Sequence, residues 1–355
     1  MEIALRGQGG RESRIAFGPL AGIASAIDPA KTVIVTDRLI RRIHGQAFPP
    51  CPVIEVERGE AAKSLASLEA LYGAFLDNSL GRDGLVLAIG GGAISDLAGF
   101  AASTWLRGVD FGFAPTTLLA MVDASVGGKN GVDFRGVKNL VGSFSQPSFV
   151  TMDVALLATL PDIEFASGMA EAVKCAVLAG GSYFELVESA SSKGRPRDPE
   201  TLKRLVAGSV ELKAGIVERD EREAGERRKL NLGHSVGHGI EAAAGIPHGH
   251  SVAAGLATAC RLSLRMGRLG AADCDRITRI LDSCGLPSSI GAAAAMAAGK
   301  TVDGPEFRKA VAGAIAADKK RLGSDILMVL PEAVGSVVVE ALALAELQAF
   351  VMEAP

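Results

Sequence analysis

Features that define several protein classes are missing from this sequence of 355 residues. The cysteines number 5 and include no Cys-x-x-Cys pair, which argues against a disulfide framework and a structural zinc knot and favours a reducing compartment. The net charge is only −3, so no nucleic acid and no membrane surface is expected as a partner. The longest charge-free run, residues 242–260, is broken by Pro247 and several glycines, so it is not predicted to span a membrane.

The first residues contain no apolar segment behind basic residues, so no signal peptide is predicted and a cytoplasmic location is expected. Hydrophobic residues make up 48% of the chain and charged residues 22%, which is typical of a globular protein. The length exceeds what one hydrophobic core usually supports. We therefore predict two domains, residues 1–155 and 156–355.

Histidine is scarce but unevenly distributed, because four of the 5 histidines lie between positions 234 and 250. Imidazole is a common ligand for transition metals and a common general acid or base near neutral pH. His234 and His238 would share one face of a helix, so spacing alone predicts them as the first metal pair. Glu171 and either His248 or His250 would complete three or four ligands. The alternative for any one of these histidines is an ordinary hydrogen-bonded core residue.

The first half alternates strand-like and helical segments. Residues 32–36 are predicted as a buried strand that ends at Asp37, a candidate ribose ligand or turn residue. Residues 84–89 are predicted as a second strand, followed by Gly90, Gly91 and Gly92 and by a helix over residues 97–104. A strand, a glycine turn and a helix in this order favour a phosphate-binding turn, although a plain tight turn fits equally well.

A third predicted strand ends in two threonines and is followed by a glycine-rich stretch, residues 123–139. That stretch is predicted to form a loop-rich surface that binds an anionic ligand, and ordinary solvated loops are the alternative. Its candidate ligand residues, with one arginine from just before the strand, are Arg107, Lys129, Lys138 and Asn139.

The second half is predicted to be mostly helical. Residues 166–177 form an apolar helix that contains Glu171 and Lys174, and a charge in such a helix is expected to be paired or metal-bound. The alternative is a solvent-facing Glu171 with Lys174 one turn away. A charged run over residues 211–228 is expected to be about half solvated helix face. Residues 325–330 and 336–339 are predicted to form a hairpin.

Together these residues resemble the 3-dehydroquinate synthase family, within the wider group of sugar-phosphate cyclases. The resemblance extends from about residue 55 to residue 340 and rests on short motifs in the same order. The motifs are Gly59-Glu60 with Lys63, residues 90–96, 115–117, 123–129, Lys138-Asn139, 168–174, 220–227, 230–238, His248-Gly249 and 318–320.

This resemblance implies an α/β N-terminal nucleotide-binding domain plus an all-α C-terminal domain, a dehydroquinate synthase-like fold with its active site between the two. It also implies NAD, one divalent metal (zinc, with cobalt as the alternative) and a homodimer. The family's metal ligands correspond to Glu171, His234 and His248. The resemblance thus makes His238 a substrate contact and not a ligand.

Other positions take expected roles from the same resemblance. The expected cofactor contacts are Asp37, Glu60, Lys63, Gly90, Gly91, Gly92, Asp96, Thr116, Thr117, Asp123 and Lys138. The expected catalytic and substrate contacts are Lys129, Asn139, Lys174, Lys213, Glu223, Arg227, Asn231 and His238. Arg107 and one of Lys319 or Lys320 are expected near the substrate phosphate.

The implied enzyme is a carbon–oxygen lyase of the shikimate pathway, which serves aromatic amino acid biosynthesis. It converts a seven-carbon keto-acid phosphate (DAHP) into 3-dehydroquinate and phosphate. Transient oxidation by NAD acidifies the neighbouring C–H bond so that phosphate can leave, and re-reduction and aldol ring closure follow. The alternatives are another sugar-phosphate cyclase, a metal-dependent alcohol or glycerol-phosphate dehydrogenase, and a non-catalytic sugar-phosphate sensor. Asn130, Asp133 and His250 depart from the family and leave the substrate open among sugar phosphates.

Overall fold

The secondary structure comes from a computed structural model that describes residues 2–7, 12–297, 303–316 and 321–354. Its strands are β1 (Glu2–Arg6), β2 (Glu12–Phe17), β3 (Thr32–Asp37), β4 (Val53–Val56), β5 (Leu85–Gly90), β6 (Asp110–Pro115), β7 (Lys129–Phe134), β8 (Val137–Phe144), β9 (Phe149–Met152), β10 (Arg321–Leu322), β11 (Asp325–Ala333) and β12 (Ser336–Ala343). Its helices are α1 (Arg38–His44), α2 (Leu65–Asp77), α3 (Gly92–Thr104), α4 (Asp162–Ala179), α5 (Gly181–Ser191), α6 (Pro199–Arg219), α7 (His234–Ala244), α8 (His248–Arg265), α9 (Ala271–Ser283), α10 (Ile290–Met296), α11 (Pro305–Ala316) and α12 (Leu344–Glu353).

The chain divides into two compact units. The first comprises Met1–Leu160 and Lys213–Arg222, and the second comprises Pro161–Leu212 and Glu223–Pro355. Unlike the predicted ranges, this division assigns the end of α6 and the residues after it to the first unit. The functional roles given to the two predicted domains stay a prediction.

The first unit is an α/β fold built on a seven-stranded sheet in the order β1-β2-β9-β6-β5-β3-β4. All neighbouring strands are parallel except β1 and β2. Every residue of β3 is buried, as expected for a parallel strand with both faces covered. The strands predicted at residues 32–36, 84–89 and 111–117 correspond to β3, β5 and β6. The α/β fold class is thus confirmed for this part of the chain.

Two local predictions in the first unit were wrong. The helix after the glycine turn begins at Gly92 and not near residue 97, because Gly91 already occupies the N-cap position. Residues 129–144 form the antiparallel hairpin β7–β8 and not a loop-rich surface. Arg135 and Gly136 have φ of 50° and 79°, so the turn of this hairpin uses left-handed backbone that the glycine content alone did not reveal.

The second unit is mainly helical and also contains the three-stranded sheet β10-β11-β12. The predicted hairpin is confirmed, because β11 and β12 pair antiparallel with Val329 opposite Val339. A buried apolar core joins this sheet to the helices and includes Val236 and Ile240 of α7 and Val311 of α11. In the part of the chain that the structure describes, no helix is both long and apolar enough to cross a membrane.

Candidate metal centre and nucleotide site

Helices α4, α7 and α8 approach one another closely at glycines. A methyl group on Gly249 would overlap the carbonyl oxygen of Ser167 on α4, and one on Gly255 would overlap the carbonyl oxygen of Gly233 at the start of α7. The hydroxyl oxygen of Ser167 also accepts a hydrogen bond from the amide of Gly249 at 3.0 Å. The first turn of α8, which begins with His248, is therefore held directly against α4.

This packing brings Glu171, His234 and His248 together. Oε1 of Glu171 lies 3.6 Å from Nε2 of His234 and 3.8 Å from Nε2 of His248. One ligand atom from each of the three residues lies within 4.8 Å of the others. Zinc–ligand bonds of about 2.0–2.2 Å at a tetrahedral angle separate neighbouring ligand atoms by roughly 3.3–3.6 Å. The two distances from Oε1 of Glu171 to the imidazole nitrogens are close to that range and longer than hydrogen bonds.

The carboxylate of Glu171 is fully buried, with 0% exposure, and its Oε1 has no hydrogen-bond partner. Its Oε2 forms an ion pair with Nζ of Lys174, which is itself only 1% exposed. The alternative of a solvent-facing Glu171 is therefore wrong. A buried carboxylate with one oxygen directed at two imidazoles fits a divalent cation, because a cation would satisfy that oxygen.

The other ring nitrogen of each histidine fixes the orientation of its ring. Nδ1 of His234 lies 3.2 Å from the carbonyl oxygen of Leu232, and Nδ1 of His248 lies 2.9 Å from Oε2 of Glu241. A carbonyl and a carboxylate only accept hydrogen bonds, so each Nδ1 carries the proton and each Nε2 presents a lone pair. Both lone-pair nitrogens are those that face Glu171.

Glu241 was not identified as a site residue from the sequence, although its spacing contained the information. It lies seven residues after His234 and three after His238, so all three share one face of α7. A carboxylate on the same helical face as two histidines is a candidate partner for a metal-ligating imidazole.

The spacing-based metal pair of His234 and His238 is not the pair that the structure groups with Glu171. The His238 ring is exposed, and its centroid lies 5.4 Å from that of His234 and 6.1 Å from that of His248. His250 is 1% exposed, and burial lowers the pKa of its imidazole. Nδ1 of His250 is buried without a hydrogen-bond partner, and the residue lies outside the group formed around Glu171.

Three more of the expected substrate residues lie on or beside the short 3₁₀ segment Glu226–Asn231 of the second unit. Asn231 donates from Nδ2 to Oε1 of Glu223 at 2.5 Å. Glu223 has a φ of 61°, an uncommon conformation for a non-glycine residue, and such strain is often found at functional sites. Arg227 is buried, with 2% exposure.

In the first unit, the glycine turn and two threonines lie at the carboxyl ends of the parallel strands β5 and β6. Gly90 is required for packing, because a methyl group there would lie 2.8 Å from the side chain of Ile94. Gly91 at the N-cap leaves the first amides of α3 without a side-chain cap. The hydroxyl of Thr116 is buried without a hydrogen-bond partner. This edge fits a dinucleotide pyrophosphate, since such ligands bind at helix N-termini beyond parallel strands.

Asp37 also lies at this edge and caps α1. Its Oδ1 accepts hydrogen bonds from the amides of Leu39 at 2.8 Å and Ile40 at 3.0 Å. The turn interpretation of Asp37 therefore describes what the structure contains. Its expected contact with a ribose stays a prediction.

Lys63 is the centre of a charged cluster in the first unit. Its Nζ donates to Oδ2 of Asp96 at 2.8 Å and to Oδ1 of Asn139, and Glu60 lies 3.5 Å away. Burial lowers the pKa of Lys63, but the carboxylates of Asp96, Glu60 and Asp133 outweigh this effect and raise it above its usual value. Burial raises the pKa of Asp96 to about 6, although Lys63 opposes the shift. Asn139, an expected substrate contact, thus shares this cluster with residues that are expected to contact the cofactor.

The remaining expected residues are distributed as follows. Lys213 donates from Nζ to the backbone oxygen of Asp123 at 2.7 Å and to its Oδ1 at 2.5 Å. Lys129 and Lys138 are exposed on the hairpin β7–β8, and Arg107 is exposed with a φ of 71°. Lys319 and Lys320 lie outside the described residues.

Two departures from the family have structural roles in the hairpin. Nδ2 of Asn130 donates to the backbone oxygens of Gly128 at 3.1 Å and Ser145 at 2.9 Å, and its side chain is buried. Oδ1 of Asp133 accepts from the amide of Asn139 at 2.8 Å and supports the left-handed backbone there. Both side chains stabilise the segment that carries Asn139, so neither departure by itself indicates a different substrate.

Two protein-family models together match most of the chain. Residues 53–167 match the model described as 3-dehydroquinate synthase N-terminal, and residues 168–320 match the model described as 3-dehydroquinate synthase C-terminal. The chain belongs to the 3-dehydroquinate synthase family. It is 39% identical over 319 residues to the 3-dehydroquinate synthase of Desulforamulus reducens, covering 86% of this chain and 85% of that protein. It is 40% identical over 345 residues to that of Bradyrhizobium diazoefficiens, covering 92% and 88%.

Solved structures of related synthases share the fold. A 2-deoxy-scyllo-inosose synthase complexed with carbaglucose-6-phosphate, NAD⁺ and Co²⁺ superimposes with a TM-score of 0.85 at 22% identity, over 100% of both chains. The 2-epi-5-epi-valiolone synthase of Streptomyces hygroscopicus, with NAD⁺ and Zn²⁺ bound, gives 0.82 at 25% identity, over 96% of this chain and 95% of that one. A probable glycerol dehydrogenase from Sinorhizobium meliloti gives 0.66 at 15% identity, over 96% and 95%.

Proposed function

We propose that this protein is a 3-dehydroquinate synthase, a carbon–oxygen lyase that converts DAHP into 3-dehydroquinate and phosphate. The observation that carries the proposal is the buried carboxylate of Glu171 facing Nε2 of His234 and Nε2 of His248, in a chain of this family. Glu171, His234 and His248 would hold one divalent metal, zinc or cobalt.

The first unit would bind NAD through the glycine turn and the threonines at the edge of its sheet. Bound NAD would supply a reversible hydride acceptor and the metal would supply a Lewis acid for substrate oxygens, which is the chemistry that loss of phosphate requires. The buried hydroxyl of Thr116 and the first amides of α3 would hold the pyrophosphate. The Lys63–Asp96 pair would contribute to the same site.

The remaining polar residues would bind and orient the sugar phosphate. Lys129, Lys213 and Arg227 would hold its anionic groups by charge-assisted hydrogen bonds. Asn231 and Glu223, which are bonded to each other, would hold ring hydroxyls. His238, which is exposed on the same face of α7 as His234, would hydrogen-bond a substrate oxygen. Fixing the reacting atoms in this way lowers the entropic part of the barrier.

The decisive experiment is incubation of the zinc-loaded protein with DAHP and NAD. We expect phosphate and 3-dehydroquinate in equal amounts and no accumulation of NADH, measured by phosphate assay, NMR of the product and absorbance of the reduced cofactor. Net NADH formation would identify a dehydrogenase instead. Metal and NAD binding without any turnover would favour a sensor.

Variants test the residue assignment in the same assay. Glu171→Ala and His234→Ala should abolish both metal binding and turnover. His44→Ala is the matched control, because His44 contacts Thr159 in the first unit and has no assigned role in the site. Full activity of the Glu171 variant, with its metal lost, would remove the proposed metal role.

Sugar phosphates without the carboxylate of DAHP are the competing substrates. A hexose 6-phosphate and a seven-carbon sugar phosphate without a carboxylate should be turned over far more slowly than DAHP. Faster turnover of either would indicate another sugar-phosphate cyclase. We also propose a homodimer, to be measured by light scattering, and a cytoplasmic location, which is supported by five cysteines that form no disulfide in the described structure.

A further inference from the structure

We propose that Glu241 is a positioning residue for the metal centre, which acts by fixing the ring of His248. This inference rests on the proposed function, since it assumes that His248 ligates a metal. Nδ1 of His248 lies 2.9 Å from Oε2 of Glu241, and Nε2 of the same ring faces Glu171. A carboxylate, an imidazole and a cation in this order form a recurring arrangement in metalloproteins.

The fold explains why this contact forms between residues that are close in sequence. Helix α7 ends at Ala244, Gly245 has a φ of 64°, and α8 begins at His248. The left-handed glycine reverses the chain within three residues, so the first side chain of α8 returns to the last full turn of α7. Glu241 occupies that turn with a side chain only 13% exposed.

The contact determines which ring nitrogen is available to a cation. The carboxylate of Glu241 accepts a hydrogen bond from Nδ1–H of His248, so the lone pair of this ring is on Nε2. His234 achieves the same result with a backbone carbonyl, that of Leu232. A side-chain substitution can remove the support of His248 but not that of His234, so Glu241 is the support that mutation can test.

His248 needs this support more than His234 does. Its side chain is 33% exposed, compared with 12% for His234. A more exposed ring has fewer packing contacts to hold one rotamer, so its hydrogen bond carries more of the orientation. The bond between Ser167 and the amide of Gly249 holds the backbone of α8 and does not involve the ring of His248.

The test measures metal affinity without substrate or NAD. Metal-free protein is titrated with Co²⁺ and Zn²⁺ against a competing chelator, and the visible absorption of bound Co²⁺ reports the ligand geometry. Partners of metal-ligating histidines typically contribute about 10–100-fold in affinity. We expect Glu241→Gln to weaken binding about 10-fold, since its amide oxygen still accepts from Nδ1, and Glu241→Ala to weaken it further and alter the Co²⁺ spectrum.

The matched control is Glu188→Gln. Glu188 is also an ion-paired carboxylate of the second unit, but its partner is Arg276, at 2.7 Å. The Glu188→Gln variant should bind metal with unchanged affinity. Thermal unfolding of each metal-free variant shows whether it is folded, and Glu241→Gln, which conserves shape, keeps the test valid if the alanine variant does not fold.

The outcomes separate this inference from the function on which it rests. If the wild-type protein binds no metal, the proposed function fails. If the wild-type binds metal and both Glu241 variants bind it equally well with an unchanged spectrum, only the role of Glu241 fails. If the variants lower metal-free stability alone, Glu241 is a tie between α7 and α8 and not a positioning residue.

Discussion

Replacing Glu171 by glutamine should destabilise the metal-free second unit by about 3 kcal/mol. The carboxylate is 0% exposed and its ion-pair partner Lys174 is 1% exposed, so the substitution leaves a buried ammonium group without its carboxylate. Breaking a buried ion pair from one side typically costs about 3–5 kcal/mol. Lys174→Met should cost about the same, because it leaves the carboxylate buried without its cation.

A variant with both substitutions shows whether the broken ion pair causes the loss of stability. Glu171→Gln with Lys174→Met removes both charges, and replacement of a whole buried pair is often close to neutral. We expect its stability to lie within about 1 kcal/mol of the wild type. If the two effects instead add to about 6 kcal/mol, the residues do not act as a pair and the reasoning is refuted.

The assay is urea unfolding in the presence of a chelator, followed by far-ultraviolet circular dichroism. The chain has 1 tryptophan, Trp105, which lies in the first unit, so its fluorescence does not report on Glu171. Two units require a fit with more than one transition. The same unfolding experiment is repeated with zinc in place of the chelator. Free zinc at about 1,000 times its Kd should raise the unfolding free energy of the wild type by about 4 kcal/mol. It should rescue Lys174→Met, whose carboxylate regains a cation, but not Glu171→Gln.

Three further predictions concern the Lys63 cluster and the packing of α8. Lys63→Met should weaken NAD binding, measured by calorimetry. It should also raise the pKa of Asp96 above about 6, measured by carbon NMR of the carboxyl group, because the lysine lowers that pKa. An unchanged pKa would contradict the pairing of Lys63 with Asp96. Because folding raises the pKa of Asp96 from 3.8 to about 6, its contribution to stability is present below pH 4 and lost as the pH rises through 6. The unfolding free energy of the wild type should therefore fall relative to that of Asp96→Asn by at most roughly 3 kcal/mol between these pH values, and parallel curves would refute this. Gly249→Ala should destabilise the protein by about 1–3 kcal/mol and weaken metal binding, since its methyl group overlaps Ser167. The control Gly313→Ala should have neither effect, because no atom lies near its new methyl group. Equal effects of the two variants would count against this packing.

Local patterns predicted most of the architecture because they depend on neighbours in sequence. Continuous apolar runs predicted β3, whose residues are all buried, and β5, of which all but the first residue are buried. The hairpin β7–β8 was missed because its register depends on left-handed turn residues and on packing against α3, neither of which alternation of apolar residues reveals.

The sequence alone determined the composition of the candidate metal site, since four clustered histidines and a carboxylate in an apolar helix were visible without coordinates. Helical spacing could place His234 and His238 on one face but could not tell which other helix that face meets. The family resemblance already assigned His248 and not His238 to the metal, but only the tertiary structure shows why His248 lies with His234 beside Glu171, since α8 packs against α4 where Gly249 has no side chain. The tertiary structure also decided that Glu171 is buried and that Glu241 supports His248, since burial and contacts between helices depend on packing that no single segment contains.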